Sequence, residues 1–208
     1  PCQSWSAAGS KKGINDPRGR LFFEFVRVIS EVQPLFFIAE NVPGLLAARH
    51  SRALSNIVSQ LEGAGYLVTK TLLNANHYGV PQERKRLFVV GFRKDLYNRF
   101  DPEGIKKSST KKTLRDAIGS MPPPVRALDK NKANPSVVVP NHEYFEGTYS
   151  SHYMSRDRVR DWDQPSFTIQ ASGRHAPMHP SCSHFIPVKK DVCKLDPNAP
   201  NPYRRLSV

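Results

Sequence analysis

LFFIAENV, residues 35–42, sets five consecutive apolar residues against an acid-led polar end, with Pro34 in front of them. A continuous apolar run of this length, bounded by proline and polar residues, predicts a strand covered on both faces. Glu40 then stands at its carboxyl end. Upstream, Asp16-Pro-Arg-Gly-Arg leads into LFFEFVRVISEV (21–32), where Phe22, Phe25, Val26 and Ile29 share one helical face before Pro34 ends the helix. Downstream, Ser51 caps a second predicted helix carrying Leu54, Ile57, Val58 and Leu61, which Gly63 and Gly65 close ahead of the strand YLVTKTLL (66–73). After NANHYGVPQ (74–82) comes another apolar strand within RLFVVGF (86–92). Alternation of this kind predicts an α/β chain with an open, mostly parallel sheet and helices on its faces. Such sheets place their sites beyond the carboxyl ends of the strands, which draws attention to Glu40.

Beyond residue 93 the pattern weakens. Charge and Ser/Thr fill 94–112, a short helix TLRDAIGSM (113–121) follows, and Pro122 to Pro124 make a stiff break. A boundary is placed at 112/113. Residues 125–208 hold short strand candidates, notably SFTIQ (166–170), separated by Pro, Asn, His and Gly, as in a smaller, loop-rich domain.

Of the 208 residues, 31 are Lys or Arg against 18 Asp or Glu, a formal net charge of +13 spread through both halves of the chain. That excess points to a polyanionic partner, because each cation docked on a phosphate releases counterions. With 38% hydrophobic residues, full-chain disorder is excluded as a reading, while 18 prolines promise long irregular stretches. The longest apolar runs are too short to span a bilayer and nothing before Leu21 resembles a secretion signal, so a soluble cytoplasmic protein is expected. Cys2, Cys182 and Cys193 form an odd set, expected as reduced thiols. His179, Cys182, His184 and Cys193 match no usual zinc spacing, and no metal is expected.

Three short segments carry chemistry. PCQSWSAAG places a thiol at Cys2 ahead of small and polar residues suited to a moving loop. Glu40 leads the triplet Glu-Asn-Val where a buried strand ends, a place a carboxylate avoids unless it is paired or used. QERKR puts Arg84 and Arg86 two residues apart, on one face of an incoming strand. A free cysteine is more often a small hydrophobe, an acid at a strand end is often solvated, and an arginine pair often decorates an edge; the three together are harder to explain that way.

In this order, PCQ, ENV and QxRxR resemble the cytosine-5 DNA methyltransferase family, with RGRLFF and LNANHYGVPQ fitting the same pattern. The resemblance runs from Pro1 to about Asp95 and resumes at SFTIQ and YRRLSV. ALDKNK, NHEYF, MSRDRVR and QASGR look most like its GGCC-recognising bacterial modification enzymes, partners of restriction systems. The resemblance implies a partial Rossmann-like methyltransferase sheet in 1–112, and in 113–208 a linker and target-recognition domain. It implies Cys2 as covalent nucleophile, Glu40 as the acid at the ring nitrogen and exocyclic amine, and Arg84 and Arg86 lining the pocket. S-adenosylmethionine would be the methyl donor, with Pro1 and Leu21 on the cofactor side. Gln3, Ser4, Ser6 and Arg18 resemble the segment that folds over duplex DNA, Thr168 a backbone contact, and Arg158, Arg160 and Arg174 candidates for reading guanine. The family's glycine-rich donor-binding turn and its final block are not found in the sequence, so a fragment needing a complementary polypeptide is expected. A DNA-binding subunit without catalysis and an RNA-directed cytosine methyltransferase remain alternatives.

Overall fold

In a computed structural model of the chain, the described residues are 4–5, 12–96, 99–122, 125–126, 134–136, 138, 142–143, 149–170, 175–200 and 203–206. Two compact units are present, 1–74 with 85–107, and 75–84 with 108–208. The units do not follow the 112/113 division, because 75–84 and 108–112 group with the second.

The first unit begins with α1 (Pro17–Val32), whose N-cap Asp16 accepts a hydrogen bond from the Arg18 amide while Pro17 starts the first turn. Phe22, Val26 and Ile29 are its buried stripe. Gln33, at φ +49°, turns the chain into β1 (Phe36–Asn41). After two 3-10 turns comes α2 (Ser51–Gly63), which buries Leu54, Ile57 and Leu61, and Gly65 at φ +99° leads into β2 (Tyr66–Asn74). Ser51 is the first helical residue, and His50 takes the cap position.

β3 (Lys85–Arg93) lies between β1 and β2 and is antiparallel to both. This corrects the expectation of a mostly parallel sheet. Both hydrogen-bonded pairs are antiparallel, and the outer strands run parallel only to each other. The β2–β3 connection of about ten residues is shorter than a parallel crossover needs. The reading of 35–39 as covered on both faces is also corrected. Phe37 is buried against Phe25 and Tyr66, whereas Phe36 and Ile38, on the opposite face, are 56% and 58% exposed. Phe36, Ile38, Leu73, Phe88, Val90, Phe92, Phe100 and Ile105 line an apolar cleft of about 410 Å³ there. The core lies on the helical side, where each fully buried Leu or Ile contributes roughly 1.5–3 kcal/mol.

The second unit has little regular structure, as its turn-rich sequence predicts. Its elements are α3 (Leu114–Ile118), opened by a Thr113/Asp116 capping box, the two-residue pair β4 (Val125–Arg126) and β5 (His142–Glu143), and the hairpin β6 (Ile186–Lys189) with β7 (Val192–Lys194). Tyr153, Val159, Met178, Cys182 and Phe185 form its core. SFTIQ is not a strand; only Ser166 pairs, in an isolated bridge with Gln82. No helix among the described residues is long and apolar enough to cross a membrane.

Candidate active site

The register of β3 on β1 builds the site in the first unit. Glu40 faces Phe88 across the pair, so Arg86, two residues earlier on β3, projects from the same face one pleat away. Its Nε lies 2.6 Å from Glu40 Oε1, and Arg86 Nη1 donates to the Lys85 carbonyl at 2.8 Å. The Arg86 side chain is 18% exposed and that of Glu40 47%, so the arginine is walled in while the carboxylate keeps an open side. Beside them, Leu21, Phe22, Phe25, Ala39, Glu40 and Asn41 line a cleft of about 310 Å³. Leu21, expected on the cofactor side, is half exposed at this cleft. An acid orientable by a charge-assisted bond, with an apolar wall next to it, can receive a flat polar ring and exchange a proton with it.

Arg84 and Arg86 were expected on one face of a strand. β3 starts at Lys85, so only Arg86 lies on it, and Arg84, in the second unit, donates from Nη1 to the Ile169 carbonyl at 3.4 Å.

Pro1, Cys2, Gln3, Ser6 and Arg174 lie outside the described residues. Ser4 and Trp5 are fully buried. The Ser4 carbonyl accepts from the Gly13 amide at 3.0 Å, and Trp5 meets His50 edge-on at 5.0 Å. Gly13 sits at φ +56°, and an added Cβ would come within 2.8 Å of the imidazole. Burial, with Arg49 next to it, pulls His50 below the usual histidine range. Ser4, expected to meet DNA, has no hydroxyl exposed for that in this arrangement. Arg18 grips Asp16 with two hydrogen bonds, 2.9 and 2.8 Å.

In the second unit, Thr168 Oγ1 donates to the Glu83 carbonyl at 2.7 Å. Arg158 donates to the Tyr153 and His152 carbonyls and lies over the Tyr153 ring. Arg160 pairs with Glu83 and stacks on Phe167, 4.0 Å from its centroid. Two of the three expected guanine readers, Arg158 and Arg160, are therefore held by protein groups. Among the described residues no cluster of three or more His, Cys, Asp or Glu is arranged to hold a metal; Cys182 and Cys193 are in no disulfide, and Cys182 Sγ accepts from the Arg204 amide at 3.3 Å. The Trp5–His50 contact and the Glu83–Arg160 pair were not foreseen in the sequence. Glu83 stood inside the quoted QERKR, but nothing local reveals a partner 77 positions away.

Comparison with solved structures places the fold among methyltransferases. A prophage-encoded Escherichia coli protein described as a DNA modification methyltransferase superposes with a TM-score of 0.59 at 21% identity, over 79% of this chain and 60% of that one. The family model for C-5 cytosine-specific DNA methylases matches residues 1–208, and the chain belongs to that family. It is 53% identical to the Type II methyltransferase M.MthTI of Methanothermobacter thermautotrophicus and 48% identical to M.FnuDI of Fusobacterium nucleatum, over its whole length in both cases. It spans 63% and 61% of those relatives.

Proposed function

We propose that this chain methylates carbon 5 of cytosine within a specific duplex DNA site, GGCC, by covalent catalysis on a flipped-out base. The observation that carries the reading is Glu40 bonded to Arg86 at the end of β1, beside the cleft lined by Leu21. Carbon 5 is a poor nucleophile until a thiolate adds to carbon 6, and Cys2 is assigned that addition. Glu40 hydrogen-bonds the exocyclic amine and neutralises the charge that gathers at ring nitrogen three. Arg86 holds the Glu40 carboxyl in place, and Arg84 helps orient the nucleotide. Carbon 5 takes the methyl group, its proton leaves to a base, and the electron pair of that bond re-forms the ring double bond as Cys2 departs.

S-adenosylmethionine supplies an electrophilic methyl group when bound. The residues present fit its apolar portion: half-exposed Leu21, with Phe22 and Phe25 behind it, offers a hydrophobic wall beside Glu40. Pro1 is assigned to the same side. We assign residues 1–112 to catalysis and 113–208 to the linker and target recognition, with a further polypeptide completing the donor site. Gln3, Ser4, Ser6 and Arg18 belong to the segment closing over DNA, Ser4 only once its hydroxyl is released. Thr168 and Arg174 serve DNA contact, while Arg158 and Arg160 shape that surface from their protein partners.

The test is trapping on GGCC duplexes containing 5-fluorocytosine, with donor and complementing polypeptide present, against scrambled duplex and folded RNA. A denaturation-resistant adduct on GGCC with the wild type and none with Cys2→Ala is expected. An adduct with both proteins removes the thiol assignment, and adduct on RNA alone selects the RNA-directed alternative. DNA binding without any adduct leaves the non-catalytic one.

A further inference from the structure

Glu83, between Gln82 and Arg84, is engaged through its amide, its carbonyl and its carboxylate. Its amide donates to the Ser166 carbonyl at 2.8 Å, and its carbonyl accepts from Thr168 Oγ1 at 2.7 Å. Its carboxylate accepts from Arg160 Nη2 at 2.9 Å. On either side, the Ser166 amide donates to the Pro81 carbonyl at 2.9 Å and Arg84 Nη1 to the Ile169 carbonyl at 3.4 Å. Every partner comes from 160–169, and all of these contacts fall within the second unit.

An exposed ion pair alone would mean little, since such pairs are often worth nothing measurable. This one is different in its surroundings. The Arg160 side chain is 26% exposed, its guanidinium lies 4.0 Å from the Phe167 centroid, and Arg156 sits 5.1 Å from the same ring. Arg160 Nε is buried with no hydrogen-bond partner among the described residues. With Nε already lacking an acceptor, the guanidinium relies on Glu83 as acceptor for Nη2, and removing that acceptor leaves a second of its nitrogens unsatisfied.

We propose that Glu83 is a positioning residue. It clamps the Arg160–Ile169 segment onto the turn that carries Gln82 and Arg84, so that the guanidinium of Arg84 is held in one place while the segment engages DNA. The assignment rests on the function proposed above, through the role given there to Arg84. It requires that disturbing the Glu83–Arg160 pair act on turnover more than on DNA affinity, because both side chains are taken up by protein groups while Thr168 is left unchanged.

The experiment uses the full chain with its complementing polypeptide and compares wild type, Glu83→Gln, Glu83→Ala, Arg160→Ala and the Glu83→Ala/Arg160→Ala double variant. Turnover, duplex Kd, and hydrogen exchange at the Glu83 and Ser166 amides are measured. Loss of position at a reacting group costs up to about a hundredfold in rate, so Glu83→Ala and Arg160→Ala should each lose about tenfold to a hundredfold in kcat with little change in Kd. The double variant should be no slower than the worse single, and Glu83→Gln, which keeps an acceptor for Arg160, should recover most of the rate. Losses confined to Kd, losses that multiply in the double variant, or unchanged rates overturn the proposal. If the wild type itself transfers no methyl group, the functional reading fails and exchange decides the clamp alone. Faster exchange at both amides in each single alanine variant, without further increase in the double, upholds it, and unchanged exchange overturns it. Should Glu83→Ala not fold, Glu83→Gln and Arg160→Ala carry the same comparison.

Discussion

Glu40 owes its orientation to one guanidinium, and that guanidinium to the strand register. Arg86→Ala is expected to lower kcat by about a hundredfold while leaving the fold intact, and Arg86→Lys to rescue little, since an ammonium cannot reproduce the planar fork; methyl-transfer rates on a GGCC duplex check both. Two histidines of the second unit make opposing contributions to pH dependence. Burial, with Arg204 nearby, pulls His179 down to about 4. Its share of stability is present above about pH 6.5 and is lost as pH falls through about 4. His184 is raised, chiefly by its hydrogen bond to Asp157 and further by Asp161. Its share is present below about pH 6.5 and lost as pH rises through the elevated value. Urea midpoints measured from about pH 4.5 to 7.5 should therefore fall less steeply toward acid in His179→Gln than in wild type. His184→Gln should lower the midpoint at the acid end, with the difference from wild type shrinking as pH rises through the elevated His184 value. ENV and QxRxR are contiguous strings, so the sequence could single out Glu40, Arg84 and Arg86 as candidates, and the structure brings Glu40 and Arg86 together. The pairing of Glu83 with Arg160 was not legible there, because it depends on how distant segments meet.

At the scale of elements, β3 sits where it does because Gly91 lies directly opposite Phe37 and gives its ring room to cross. An added Cβ there would fall 2.2 Å from that ring, so Gly91→Ala should cost about 1–3 kcal/mol, read as a lowered urea midpoint. Asp16→Ala removes the cap of α1, and also the partner of Arg18, and should cost about 0.5–2 kcal/mol by the same measurement. The helices and the three long strands were readable from periodicity and punctuation. Strand direction was misread because an apolar run reports burial and carries no information about pairing; only the short 75–84 connection signalled an antiparallel return. The exposed side of β1 was misread for a related reason, since Phe36 and Ile38 are as apolar as Phe37. SFTIQ has strand composition but gains only the bridge at Ser166, its neighbours being held by side chains such as Thr168.

For the molecule as a whole, a net charge of +13 makes the proposed DNA binding a function of ionic strength. If about six phosphates are neutralised, Kd should weaken roughly a thousandfold between about 50 and 200 mM salt, measurable by fluorescence anisotropy. The uncovered side of the sheet bears on the same variable. Mutual repulsion between copies of so basic a chain opposes contact through those aromatic surfaces, and at about 1 M salt that repulsion reaches only about 3 Å. Brine strong enough to wash nucleic acid from the protein during purification should thus bring on clouding, first seen as a rise in light scattering.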